Sequence, residues 1–121
     1  MSARFRTGNL TLDTGRRVLL CDSKPIPLGA LTYRLLLTLV EAAPNVVSHD
    51  ELINSIWAGR PVSPETISQR VKLLRDALSD DPHHPRYVEL VRGQGYRLVP
   101  RVEVMPRESS AGSRRKWLTV A

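Results

Sequence analysis

Between Ser63 and Leu78 the chain reads S-P-E-T-I-S-Q-R-V-K-L-L-R-D-A-L. Its hydroxyl, amide and cationic side chains are the kinds that hold phosphate and read base edges. Ser63 suits an N-cap, because its hydroxyl can accept from a free amide of the first turn, and Pro64 fits the first helical position, where no amide hydrogen is needed. Ile67, Val71, Leu74 and Leu78 recur at spacings of four, three and four, so they share one core-facing stripe. Glu65, Gln69, Lys72 and Asp76 fall opposite. Ser68 and Arg75 flank that face on one edge, and Thr66, Arg70 and Leu73 on the other. Taken alone, such a stretch reads as an ordinary amphipathic helix with a solvated face. Its neighbours shift the balance.

Upstream, Ser48-His49-Asp50-Glu51 is a capping box that opens a helix from Ser48 to Trp57, with Leu52, Ile53, Ile56 and Trp57 on its apolar face. The short break Ala58-Gly59-Arg60-Pro61-Val62 separates it from Ser63. Downstream, Tyr87 to Val99 alternates like a hairpin, with Gly93 and Gly95 bracketing Gln94 to permit a tight turn. Arg92 and Gln94 then stand at the tip of the ribbon, where an arginine could enter a minor groove or meet phosphate. Helix, short loop, helix and basic-tipped ribbon is the order of a winged helix-turn-helix.

Other constellations carry less. Gly93-Gln94-Gly95 is no dinucleotide cradle, because no helix follows it. Asp80-Asp81-Pro82-His83-His84-Pro85 reads as a solvated connector, since zinc sites draw ligands from separated pairs on a fixed frame. His49, His83 and His84 have no nucleophile or carboxylate at a spacing that fixes geometry. The expectation is therefore no enzyme, no metal and no cofactor. Cys21, the single cysteine, lies in Val18-Leu19-Leu20-Cys21 and reads as a buried inert thiol, which fits a reducing, cytoplasmic setting.

The elements that must position the helix and ribbon come earlier. Arg4 to Arg6, Asn9 to Leu12, Arg16 to Cys21 and Pro25 to Leu28 read as short strands of an antiparallel meander, divided by turn residues. Leu31, Leu35, Leu36, Leu39, Val40 and Ala42 mark a helix from about Ala30 to Ala43, stopped by Pro44-Asn45, and Val46-Val47 makes a short extended link. The fold class is α+β. At 121 residues the chain holds one domain, expected over residues 1–100, with a Pro- and Ser-punctuated basic tail over 101–121. The tail closes on Arg114-Arg115-Lys116-Trp117-Leu118-Thr119-Val120-Ala121. That ending reads equally as a plain basic tail or as the cytoplasmic edge of a membrane anchor, and five residues cannot make a span of about 20.

The net charge of +6 invites a polyanionic partner, but it is unevenly spread. Residues 63–98 hold six Lys and Arg against five Asp and Glu, so the reading head is nearly neutral. A nucleic-acid argument rests on where those cations sit. A protein-contact module, meeting RNA polymerase or another regulator, is the competing class.

With these pieces placed, residues Phe5 to Val99 resemble the OmpR/PhoB-type winged-helix effector domain, similar to the DNA-binding heads of ToxR and CadC regulators. The carrying motifs are Pro27-Leu28, Leu35-Leu36-x-x-Leu39, Val46-Val47-Ser48-x-Asp50-Glu51-Leu52-Ile53-x-x-Ile56-Trp57, Ile67-x-x-x-Val71-x-x-Leu74-Arg75-x-Ala77-Leu78 and Tyr87-Val88-x-x-Val91-Arg92-Gly93-x-Gly95-Tyr96-Arg97-Leu98. The resemblance implies a four-stranded N-terminal sheet, three helices and a C-terminal wing. It also implies double-stranded DNA as partner, read by the third helix in the major groove and touched by the wing in the minor groove. Because a single head reads few base pairs, two-fold or tandem half-sites are expected, and with them a homodimer on DNA. Carried across, Thr66 would bind phosphate, Ser68, Gln69, Arg70 and Lys72 would face the groove, and Arg75 would reach backbone or bases. Arg92 would be the wing residue. Leu73 and Asp76 stand where relatives often carry basic residues, and Leu90 replaces a frequent wing threonine. Met1 opening directly into the sheet matches the ToxR/CadC order, in which a sensor lies beyond the C-terminus.

Overall fold

The computed structural model describes residues 3–105. The expected tail from 106 and its basic, Trp-containing end lie outside them. Strands β1 (Arg4–Thr7), β2 (Leu10–Asp13), β3 (Val18–Cys21) and β4 (Lys24–Ile26) form the anticipated antiparallel meander. Helices α1 (Ala30–Ala42), α2 (His49–Trp57) and α3 (Pro64–Leu78) follow, and then the hairpin β5 (Val88–Val91) and β6 (Gly95–Leu98).

A further strand, β7 (Val102–Met105), pairs antiparallel with β1, giving the sheet order β4-β3-β2-β1-β7. The four-stranded N-terminal meander is present, and β7 adds a fifth strand to it, so pairing with the sheet continues past residue 100 to Met105. The physical reason is plain in retrospect. Without β7, strand β1 would present a row of unpaired amides and carbonyls at the sheet edge, and Val102-Glu103-Val104-Met105 alternates as a strand should. Pro100, just ahead, disguised it as the start of a tail.

Register sorts the sheet into two faces. Phe5, Leu12, Leu19, Ile26 and Val104 align across the strands on one side, joined by Thr7, Leu10, Cys21 and Val102. That side meets α1. Leu10, Leu12, Leu19, Leu35, Leu36 and Leu39 form its buried centre, continuous with Leu52, Ile56, Ile67, Val71, Leu74, Val88 and Leu98. Cys21 is half-buried there rather than fully enclosed. Helices α2 and α3 carry the side-chain caps expected of them, while α1 starts at Gly29 without one. Ser48 and Glu51 close the capping box of α2 through Glu51 N donating to Ser48 Oγ at 3.2 Å and Ser48 N donating to Glu51 Oε1 at 3.0 Å. Ser63 Oγ accepts from the Thr66 amide at 3.2 Å, and Pro64 takes the first turn of α3.

The extended link is more than a spacer. Val47 donates to the Tyr96 carbonyl at 2.7 Å, and the Tyr96 amide returns the bond at 3.0 Å, so the chain between α1 and α2 becomes a third rung of the wing. Gly95 makes this possible. With φ at +149°, a Cβ there would fall 1.9 Å from the Val47 carbonyl oxygen. Gly93 has the turn role expected for it, at φ +74° and with open space around its Cα.

Candidate nucleic-acid interface

Helix α3 buries the stripe read from its spacing: Ile67, Val71, Leu74 and Leu78 are each 6 % exposed or less. Glu65, Thr66, Ser68, Gln69, Lys72, Leu73 and Asp76 are exposed. The Thr66 hydroxyl lies 3.0 Å from that of Ser63, which leaves it at the rim of the helix N-terminus. At that end, free amides and the helix dipole favour an anion. Across the hairpin, the Gln94 amide donates to the Val91 carbonyl at 3.0 Å and closes the turn. Arg92 and Gln94 stand exposed at its tip.

Arg70, expected to face the groove, and Arg75, expected to reach DNA backbone or bases, each hydrogen-bond within the domain. The Arg70 guanidinium donates to the Thr32 hydroxyl on α1 at 3.3 Å, and its Nε is buried without a partner among the described residues. Arg75 donates to the Val88 carbonyl at 3.1 Å, where its Nε is likewise enclosed. Both are half-buried. The helical wheel placed them correctly on the flanks of the exposed face. It could not show that α1 and β5 lie within a guanidinium's reach of those flanks, which offer acceptors that the long arginine stems fold down to meet. Arg70 therefore ties α3 to α1, and Arg75 ties α3 to the wing.

The remaining cations divide in the same way. Arg97 pairs with Glu89 across the hairpin, and Arg86 lies over the Tyr87 ring at 5.7 Å. Of the six cations between 63 and 98, Lys72, Arg86 and Arg92 are exposed with no side-chain ion pair or hydrogen bond among the described residues, and of these Lys72 and Arg92 have no aromatic contact either. One sits at the middle of the outer arc of α3, the other at the wing tip.

The connector reading of Asp80 to Pro85 fails at its first residue. Asp80 is 8 % exposed, and its carboxylate accepts from the amides of Arg86 at 2.7 Å, Tyr87 at 3.2 Å and Val88 at 3.0 Å. It fastens the start of β5 to the end of α3, whose left-handed Ser79 turns the chain so that Asp80 faces inward. Asp81 accepts from the His83 amide at 2.9 Å and keeps the solvated role. Nothing in the Asp-Asp-Pro-His-His-Pro pattern distinguishes the first aspartate from the second.

On another side of the molecule a cleft is lined by Arg17, Leu28, Tyr33, Arg34, Glu41 and Ser55, with no residue from α3 or the wing. Burial pushes the Tyr33 phenol upward there, against the pull of the Arg17 guanidinium.

Comparison with known proteins agrees with this geometry. The profile of the family described as transcriptional regulatory protein, C terminal, matches residues 23–98. The transcriptional regulator HilA of Salmonella typhimurium is 37% identical over 89 residues, which make up 73% of this chain but only 16% of HilA. Among solved structures, the Klebsiella pneumoniae RstA DNA-binding domain in complex with the RstA box superposes with a TM-score of 0.75 at 21% identity, covering 81% of this chain and 98% of that one. The DNA-binding domain of E. coli CadC gives 0.72 at 24% identity, covering 84% and 95%. These two show the shared fold. With a five-stranded sheet, three helices and a hairpin wing in place, and a family match over most of the domain, the chain belongs to the transcriptional regulatory protein C-terminal family, the winged-helix DNA-binding domains of OmpR/PhoB type.

Proposed function

We propose that this domain binds double-stranded DNA sequence-specifically, with α3 in the major groove and Arg92 of the wing at the minor groove. The observation that carries the reading is the disposition of cations. Arg70, Arg75 and Arg97 are hydrogen-bonded within the domain and the exposed Arg86 lies over the Tyr87 ring, whereas Lys72 and Arg92 are exposed on the arc of α3 and on the wing tip. Gln69 and Lys72 read base edges, Ser68 supports them, and Thr66, Arg92 and Gln94 hold backbone. Arg70 and Arg75 act from behind, fixing the angle at which α3 leaves the core. RstA, of the same fold, is described in complex with its box, which supports DNA as the ligand here.

A single head reads few base pairs, so two copies on paired half-sites are the natural assembly. The chain spans 16% of HilA, and the reading extends to a longer regulator in which this domain is the DNA-reading part. Its attachment to a membrane through the segment beyond Met105 is part of the same proposal. No helix among the described residues is long and apolar enough to cross a bilayer.

Lys72→Ala and Arg92→Ala should each weaken binding by about tenfold, and Arg92→Ala, which loses a backbone contact, should also lower the slope of log affinity against log salt by about one. Both side chains are exposed, so thermal melting should not move. Fluorescence anisotropy over a salt series measures affinity and slope together. Unchanged affinity and slope in both variants would remove α3 and the wing as the interface. A domain that binds no DNA even at low salt would favour the second reading, a contact surface for RNA polymerase or a partner regulator. The near neutrality of residues 63–98 gives that reading its weight.

A further inference from the structure

One apolar side chain of α3 does not join the buried stripe. Leu73 is 40% exposed, while the other large apolar residues of the helix are 6% or less. It sits one turn beyond Gln69 and two beyond Thr66, so it lies on the edge of the exposed arc that it shares with Thr66, outside the buried stripe. Helical side chains lean toward the N-terminus, which carries Leu73 toward Gln69. An exposed leucine is unremarkable on most surfaces. Here it occupies the face on which the domain's ligand would sit, and the company it keeps is selective. Guanine in the major groove is read most often by arginine, and the two arginines of α3 are committed to Thr32 and to the Val88 carbonyl. What remains on the arc is Lys72, which can still meet guanine, together with an amide, suited to adenine, and an isobutyl group, suited to the C5 methyl of thymine.

We propose that Leu73 is a specificity-determining residue that seats the methyl group of a thymine, so that the outer arc of α3 selects A·T over G·C pairs at that point of its site. The inference rests on the reading of α3 as the recognition helix. Four residues of helix rise about 6 Å, about two base-pair steps. The thymine therefore lies within two base pairs of the base met by Gln69.

The test uses a duplex selected from a random pool by the wild-type domain, with each thymine replaced singly by deoxyuridine, which lacks only that methyl. One replacement should weaken wild-type binding about fourfold, the factor for one methyl-sized group returned to water. Leu73→Ala should bind the thymine duplex as weakly as the wild type binds the deoxyuridine duplex, with no further loss on replacement. Leu73→Gln, which keeps length and solubility, should be equally indifferent to the methyl, and it serves if the alanine variant folds poorly. A duplex in which every replacement is harmless overturns the proposal, as does a penalty that persists in Leu73→Ala. Lys72→Ala separates the two levels. If it loses affinity while the methyl is irrelevant, only the role of Leu73 falls; if it binds like wild type, the recognition-helix reading falls and takes Leu73 with it.

Discussion

Gly95→Ala is expected to cost more than about 4 kcal/mol and to leave the domain unfolded or its wing detached at ordinary temperature. The added Cβ would meet the Val47 carbonyl oxygen at 1.9 Å, its carbon at 2.8 Å and the Ser48 Cα at 2.9 Å, and all three are backbone atoms. No rotamer relieves a backbone clash. The wing would have to move away, breaking both hydrogen bonds between Val47 and Tyr96 and the contact of the Tyr96 ring with His49 at 5.9 Å. Gly93→Ala is the control. Its φ of +74° strains any side chain, but nothing lies within 4 Å, so it should cost only about 1–2 kcal/mol. Urea unfolding of the two variants checks the contrast. Similar midpoints for Gly95→Ala and wild type would mean that the seam between Val47 and β6 does not hold the wing.

Asp80→Ala should destabilise by about 3 kcal/mol or more, the largest effect expected of a polar side chain among the described residues. Its carboxylate is the acceptor for three successive amides, Arg86, Tyr87 and Val88, and two of those bonds are buried. Truncation leaves the donors without partners in a place water reaches poorly, and each orphan costs about 1–3 kcal/mol. Asp81→Ala, next door, removes an exposed turn bond and should change stability by about 0.5 kcal/mol or less. Thermal melting of the pair is the check. Equal and small shifts would show that the α3–β5 junction is held by packing alone. Because Arg75 also reaches the Val88 carbonyl, loss of Asp80 should loosen the wing before the helices, visible as early amide exchange over Val88–Val91.

These two residues mark where the sequence stops being informative. Helix boundaries, caps and the buried stripe of α3 follow from spacing and from cap chemistry, which are local. Ser48, Glu51, Ser63 and Pro64 announce themselves because their partners lie within a turn. Gly95 was legible as a turn residue, yet its indispensable role comes from Val47, far away in the chain. Asp80 and Asp81 are alike by type and context, and only the left-handed Ser79 separates their fates. The candidate interface divides along the same line. Gln69, Lys72, Arg92 and Gln94 are exposed where the pattern put them, because nothing apolar surrounds them. Arg70 and Arg75 lie on the flanks, and whether a flanking arginine points to solvent depends on acceptors supplied by α1 and β5. Strand β7 was hidden by its brevity and by Pro100 before it.

Selection of double-stranded DNA from a random pool, by the wild-type domain and by Gln69→Ala, tests the central claim most directly, since an amide on the outer arc of α3 either reads a base or does not. The wild type should enrich an ordered motif of repeated half-sites, and Gln69→Ala should relax the preference at one position of each half-site while leaving the spacing intact. No enriched motif, or an identical motif from both proteins, would contradict the account.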